Sequence, residues 1–479
     1  MVFSSETFLF LFLPLFLALY YLTPMRFRSV TILVASYAFY GWWRIDFLGL
    51  LFATTLWTFV FGRAIGAAKS QRSAKTFLIV GLGGCLAVLG VFKYLNFFID
   101  SFALLWGTDA DGLGVHWRLI LPIGVSFYVF HAVSYLVDVY RKDAIATANF
   151  FDFAAFIALF PQLVAGPILR FKDLTGQFAH RVHSLDLFIA GTTIFAIGLA
   201  KKVLLADTVA PLANLAFQTP DPSLALSWVG AIAYMMQLYF DFSGYSDMAI
   251  GLGLMIGFRF RPNFDTPYIS RSITEFWRRW HISLSVWLRD YLYIPLGGNR
   301  KGEARTYVNL MLVMFLGGLW HGANWTFVLW GLWHGGWLAL ERATGRAKGT
   351  DLAALVSTLL IVLVGWIMFR AADVTQAFGV YRGMLGLNGA AVPPEMALAI
   401  TAEGLLFLTF GIAVCTFEPR LNRLAATRLQ PAMVGAGAHA GGLTVLNALV
   451  PTVLMLTLGA FTVMKLAEQS FSPFLYFQF

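Results

Sequence analysis

Charge is scarce in this chain: 12% of its 479 residues are Asp, Glu, Lys or Arg, against 59% hydrophobic and 16% aromatic. A soluble globular enzyme carries about 25% charged and about 45–50% apolar residues, so that class is excluded. Disorder is excluded too, because disordered chains are poor in aromatic and aliphatic side chains. Cysteine is scarcer still. Cys85 and Cys415 each stand alone in an apolar run, with no CxxC and no clustered Cys/His spacing, which argues against a disulfide framework, a zinc site and an iron–sulfur site. No bound metal is expected. The apolar stretch 1–23 lacks a basic region ahead of it and a small-residue cleavage site, so it does not read as a removable signal peptide. What remains is an all-α polytopic membrane protein with a single membrane domain over 1–479. Hydropathy alone leaves transporter, channel and enzyme open.

About 20 mainly apolar residues cross the hydrocarbon core as a helix. Candidate spans centre on 7–23, 28–42, 47–62, 76–96, 119–138, 185–206, 226–257, 306–320, 325–340, 352–369, 402–418 and 443–465. Segment 150–166 is apolar too, but Pro161, Pro167 and the basic stretch after them mark it as a re-entrant or interfacial hairpin. Placing the loop with Arg63, Lys69, Arg72 and Lys75 in the cytoplasm and alternating the spans puts 26 of the 34 basic residues on that side. Asp100, Asp109, Asp111, Asp207 and Asp221 fall on the other side, together with the N-terminus. The positive-inside rule is met without adjustment. The net charge of +9 is therefore a topology signal, and no nucleic-acid partner is implied.

Residues 258–305 interrupt the spans with nine basic residues and four acids. Ser272 to Glu275 fits a capping box, and Pro295 would stop the helix that follows. On one continuous helix, Trp277, Trp280, Leu284, Trp287, Leu288 and Tyr291 share a face, and Arg278, His281, Ser285 and Arg289 share another. Such a helix lies in the membrane interface. Its basic face suits an anchor on anionic headgroups, or a docking face for a phosphorylated donor, since guanidinium forks match phosphate oxygens. His281, alone among arginines, suits a neutral hydrogen-bonding role or a structural one.

Gly317-Gly-Leu-Trp-His321-Gly-Ala-Asn324-Trp is rarer. It sets a histidine inside an apolar run, and Leu-Trp-His334-Gly repeats thirteen residues on. Ionisable groups inside a membrane are costly and default to function. The flanking glycines admit another backbone or a thin acyl chain. An imidazole can take and return a proton near neutral pH, as acyl transfer to an alcohol requires. No GxSxG elbow and no useful cysteine supplies a nucleophile. The alternative is a pair of histidines bridging helices. In span 226–257, Asp241 and Tyr245 are i,i+4 neighbours, whereas Asp241 and Asp247 point to different sides and form no dyad. These acids suit pairing with the basic segment, or the lining of a wet cavity. Direct catalysis is the less favoured role for them.

Residues 160–170, 239–251, 272–298 and 317–336 closely resemble the membrane-bound O-acyltransferase family, and the opening 22 residues are similar to its alginate O-acetyltransferase branch in Gram-negative bacteria. The resemblance implies a ring of about 11–12 transmembrane helices with re-entrant segments around a thin core, entered by a cytoplasmic funnel. It implies that His321 is the catalytic histidine, that His281 matches a second, less invariant functional position, and that His334 belongs to a recurring motif without an equally clear role. It implies acetyl-CoA as cytoplasmic donor and no tightly bound cofactor. The acetyl group would cross the inner membrane to periplasmic acetyltransferase partners that modify a polysaccharide.

Combining the two readings, Arg278, Ser285 and Arg289 would meet the donor, and His321 would act as general base on the acceptor hydroxyl. Asn324 would orient its imidazole or bind the oxyanion. The acceptor is expected to be alginate. The alternatives are cellulose, peptidoglycan and the D-alanylation of teichoic acid, and then a transporter built around Asp241 and Asp247, which would predict inverted repeats of broken helices.

Overall fold

A computed structural model describes residues 1–345, 351–392, 394–434 and 445–468, with side chains described outside 179, 395 and 421–455. Arg346 and Lys348 of the expected cytoplasmic loop lie outside the described residues. Every regular element among the described residues is helical. Among the described residues, five helices are long and apolar enough to cross a membrane: Phe47–Gly66, Gln71–Leu105, Leu185–Gln218, Leu352–Arg370 and the portion Ala402–Arg420 of a longer helix. The protein is multi-pass, and two expected spans, 76–96 and 185–206, turn out to be parts of longer helices. Several helices begin where the sequence offers an oxygen to their first amides. Ser70, Asn149, Ser184, Asn324, Asp351 and Asp373 each accept a backbone N–H from the turn they open, satisfying donors that would otherwise be stranded.

The chain divides into two compact units. The first holds α1 (Thr7–Leu22), α2 (Arg28–Gly41), α3 (Phe47–Gly66), α4 (Gln71–Leu105), α5 (Val125–Arg141), α6 (Phe150–Ile157), α7 (Phe160–Leu163) and α8 (Phe171–Ala179). Segment 150–166 forms two helices of eight and four residues, too short to cross, and every residue from Phe153 to Phe171 is buried. Phe160 anchors it among Phe8, Phe12, Phe16 and Phe39, with ring centroids 5.0–6.2 Å apart. Its amide donates to Ser36 Oγ at 3.1 Å. Irregular backbone in an apolar setting needs such partners.

The second unit contains α9 (Leu185–Gln218), α10 (Leu224–Met255), α11 (Ile273–Arg279), α12 (Ile282–Leu288), α13 (Glu303–His321), α14 (Trp325–Thr344), α15 (Leu352–Arg370), α16 (Val374–Met384), α17 (Ala402–Val434) and α18 (Val445–Glu468). In an apolar solvent helices associate through close packing and polar contacts, and α9 and α10 use both. Gly191 and Gly198 on α9 face Gly251 and Gly244 on α10. A Cβ added at Gly198 would lie 2.5 Å from the Gly244 carbonyl oxygen, and one at Gly251 2.5 Å from that of Gly191. Gly198→Leu is expected to force the helices apart and destabilise the protein by about 1–3 kcal/mol, the usual range for overpacking. Thermal unfolding in detergent measures it, and an unchanged midpoint would mean the helices do not touch there.

This crossing brings polar groups together. A wide π-turn at Lys201–Ala206 carries two lysines. Lys201 Nζ lies 2.8 Å from Asp247 and 3.8 Å from Glu418, whose carboxylate also accepts from Tyr239 Oη. Lys202 Nζ bonds Asp207 and lies 2.9 Å from Asp241. The expectation that Asp241 and Asp247 pair with the basic segment is corrected: their partners are lysines of the neighbouring helix. Tyr245, one turn beyond Asp241, is buried and stacks on Phe3 with centroids 4.4 Å apart.

The largest correction falls in 258–305. No continuous amphipathic helix runs through it. Two seven-residue helices, α11 and α12, are separated by Trp280 and His281, and His281 is held left-handed at φ 45° and ψ 54°. The shared basic face therefore does not exist. Arg278 is the second-last residue of α11, Arg289 follows α12, and both are exposed, whereas His281 is fully buried.

Candidate active site

The site is built on the hairpin of α13 and α14. Glycines set its spacing: a Cβ at Gly318 would lie 2.2 Å from the Phe327 carbonyl oxygen, and one at Gly331 2.3 Å from that of Met314. The glycines near His321 thus admit a neighbouring backbone. His321 is the last residue of α13, 5% exposed. Its ring packs against Trp330 at 5.1 Å, Phe369 at 5.2 Å and Trp320 at 5.0 Å between centroids.

The fourth ring beside it is His281, at 6.2 Å. The two histidines, 40 residues apart in sequence, are neighbours. This overturns the expected division of a water-facing His281 from a deep His321. His281 is brought inward by Asn263. The Asn263 carbonyl oxygen accepts Ile282 N–H at 2.9 Å. Its side-chain Oδ1 accepts Ser283 N–H at 3.2 Å and Ser283 Oγ–H at 2.8 Å, and lies 3.1 Å from His281 Nδ1. Its Nδ2 donates to Ser246 Oγ at 3.0 Å. A left-handed non-glycine residue costs about 1–3 kcal/mol and persists only where its surroundings over-determine it. Those five contacts do so. Burial pushes the His281 pKa down to about 3, since a charged imidazole is disfavoured away from water; the ring is neutral at physiological pH.

The start of α11 is clamped from α14. Glu341 accepts Ile273 N–H, Thr274 N–H at 2.9 Å and Thr274 Oγ–H at 2.8 Å. Ser272 Oγ accepts Glu275 N–H at 3.0 Å, but Glu275 reaches Arg271 N–H at 2.9 Å, so only half of the expected capping box forms. Ser285 is half-buried and donates its amide to the His281 carbonyl at 3.0 Å.

The sequence-derived set is only partly assembled. His321 and His281 come together. His334 is fully buried one ring further on, 5.1 Å from Trp330, which also touches His321. Asn324 does not orient His321. Its Oδ1 accepts Thr326 N–H at 3.0 Å and its Nδ2 donates to the Ala372 carbonyl at 2.8 Å, so both ends of the amide serve as a helix cap. Arg289 pairs with Asp290 at 2.7 Å, and Arg278 and Arg289 have no common helix face. Sequence reasoning missed Asn263, Glu341, Trp330 and the two lysines. Only the spacing of the glycine pairs, seven residues apart on both α9 and α10, signalled any of this.

Helices long and apolar enough to span a membrane, with two imidazoles enclosed side by side by aromatic rings, define a multi-pass membrane protein with a buried histidine pair. The chain belongs to the MBOAT, or membrane-bound O-acyltransferase, family. Residues 115–348 match that family, a stretch containing both His281 and His321. Over its full length the chain is 51% identical to the "Probable alginate O-acetylase AlgI" of Azotobacter vinelandii, covering 100% of both chains, and 48% identical to the protein of the same name in Pseudomonas aeruginosa, again covering 100% of both. It is 36% identical to the "Peptidoglycan O-acetyltransferase" of Helicobacter pylori over 81% of this chain and 80% of that one. The protein is an O-acyltransferase, and the transporter alternative falls.

Proposed function

We propose that the protein O-acetylates alginate, taking acetyl groups from acetyl-CoA at the cytoplasmic face of the inner membrane and passing them across to periplasmic acetyltransferase partners. The observation that carries this reading is the full-length likeness to alginate O-acetylases; the burial of His321 beside His281 supplies a base enclosed by aromatic rings. Positive charge concentrated on the loops supports a cytoplasmic donor side and a periplasmic N-terminus. His321 takes the proton of the attacking hydroxyl, the hydroxyl oxygen adds to the thioester carbonyl, and the carbon–sulfur bond breaks. The proton returns to the departing thiolate.

Several buried ring nitrogens have no hydrogen-bond partner: His281 Nε2, both nitrogens of His334, and the indole nitrogens of Trp277, Trp330 and Trp366. Such groups are costly in an apolar interior, and a polar substrate arm running through this region would satisfy them. The exposed Arg278 and Arg289 suit the donor phosphates.

Purified protein in detergent, given labelled acetyl-CoA, is expected to transfer label to an acceptor hydroxyl. Arg278→Glu with Arg289→Glu should raise KM for acetyl-CoA about tenfold or more, from lost charge-assisted hydrogen bonds, and the effect should shrink at high salt. Label transfer with an unaltered KM in the double variant would leave these arginines to lipid headgroups. The likeness to the Helicobacter protein makes peptidoglycan the second acceptor. Comparing ester content of alginate and of peptidoglycan in a deletion strain separates the two.

A further inference from the structure

The five contacts of Asn263 decide more than the shape of the loop. The amide of Ser283 can only donate, so the atom facing it must be the Asn263 oxygen; exchanging oxygen and nitrogen would set two donors against each other. Asn263 Nδ2 has its own acceptor in Ser246 Oγ. His281 Nδ1, 3.1 Å from that same oxygen, must therefore carry a proton. In a neutral imidazole the other nitrogen is then bare. His281 Nε2 is buried and has no partner.

Three rings surround this imidazole. Phe242 lies edge-on at 4.7 Å and has no N–H to give; Trp320 lies at 6.0 Å and His321 at 6.2 Å. Only His321 gains an N–H by taking up a proton, and it is the one titratable side chain among these neighbours. We propose that Asn263, His281 and His321 form a hydrogen-bonded relay, in which Asn263 fixes His281 as its Nδ1–H tautomer and His281 Nε2 accepts the N–H of the His321 imidazole. The relay rests on the reading of His321 as the base.

The ring separation is about 1 Å beyond a direct imidazole–imidazole hydrogen bond, and catalytic bonds commonly tighten once substrate is in place. The logic is that of a base held in tautomer and orientation by a third group. As His321 removes the hydroxyl proton, its second N–H points to a lone pair that stabilises the imidazolium. When the proton passes to the thiolate, that bond relaxes. His281 neither gains nor loses a proton. A neutral His281 with Nε2 bare cannot donate from that nitrogen, which removes it as an oxyanion-binding group. Asn263 is a positioning residue, since it touches neither substrate.

Two measurements on the full-length protein in detergent test the relay. The first needs no substrate: histidine-selective 15N NMR, with the His281 signals assigned by their loss in His281→Gln. It should show a protonated Nδ1 and a bare Nε2, and Asn263→Leu should scramble that pattern. A protonated Nε2 in the unaltered protein would overturn the proposal, whatever the true acyl donor.

The second is acetyl transfer across pH. Asn263→Leu should lower kcat about 10–100-fold, as loss of an orienting partner does, with KM for acetyl-CoA unchanged. Asn263→Asp keeps an acceptor for the Nδ1 proton and should retain activity within about tenfold. Its negative charge favours protonated imidazole, so the acid limb of its kcat profile should move to higher pH. An Asn263→Leu enzyme with kcat intact, or an Asn263→Asp profile that does not move, would refute the relay even if the tautomer is as stated. Absence of acetyl transfer by the unaltered protein would instead count against the function itself, leaving the NMR result to decide the tautomer.

Discussion

His321→Ala is expected to abolish acetyl transfer while the protein still accumulates in the membrane. A general base contributes about 10²–10⁴-fold, and alanine at residue 321 supplies no lone pair in reach. His321→Gln should be almost as inactive, because glutamine fills much of the volume but cannot hold a proton between two steps. The ring contacts to Trp320, Trp330 and Phe369 mean that alanine also leaves a cavity, so the glutamine variant guards against a purely structural loss. The readouts are ester content of the exported polymer and label transfer from acetyl-CoA, each normalised to protein level. Unchanged ester content at a normal protein level would remove His321 from the chemistry.

That His321 is buried was legible from its place in a glycine-flanked apolar run. His281 was legible as a residue of interest but not as a neighbour of His321. The reason lies in the assumption of one unbroken helix from Ser272 to Tyr293. Nothing local contradicts it: no glycine or proline stands at Trp280 or His281, and the apolar period runs straight through. The break is imposed from 18–20 residues upstream by Asn263, which takes the amides of Ile282 and Ser283 away from any helix passing through His281. An i→i−4 pattern read from the sequence cannot see a competitor at that separation. Asn324 failed for the opposite reason. Its position before Trp325, at a helix start, was a local capping signal that outweighed its closeness in sequence to His321.

Of the spans read from hydropathy, those at 47–62, 76–96, 185–206, 352–369 and 402–418 meet helices long and apolar enough to cross, because a bilayer imposes one dominant requirement on length and composition. Segment 150–166 was separable from them by its prolines. Partner choice among buried charges was not readable. Asp241 and Asp247 had no visible counterpart, since the lysines that meet them lie some 40 residues earlier on α9. Which face of α9 turns inward depends on the glycine pairs and on the π-turn at Lys201–Ala206.

Those lysines carry the second large effect. Lys202 is 3% exposed and stands between Asp241, 1% exposed, and Asp207, 8% exposed. Replacing it with methionine keeps the volume but leaves two carboxylates to share a buried space without their cation. Breaking a buried pair from one side costs about 3–5 kcal/mol, and thermal unfolding in detergent should register a loss of that order, with reduced accumulation in the membrane. Lys202→Arg keeps the charge and should recover part of the loss, limited by the larger guanidinium. Lys202→Met with Asp241→Asn should be more stable than Lys202→Met alone, because the pair is then removed from both sides. If Lys202→Met unfolds at the same temperature as the unaltered protein, the carboxylates are already neutral or solvated and the lysine is not holding α9 to α10. Full stability with lost transfer would instead give this cluster a part in the reaction.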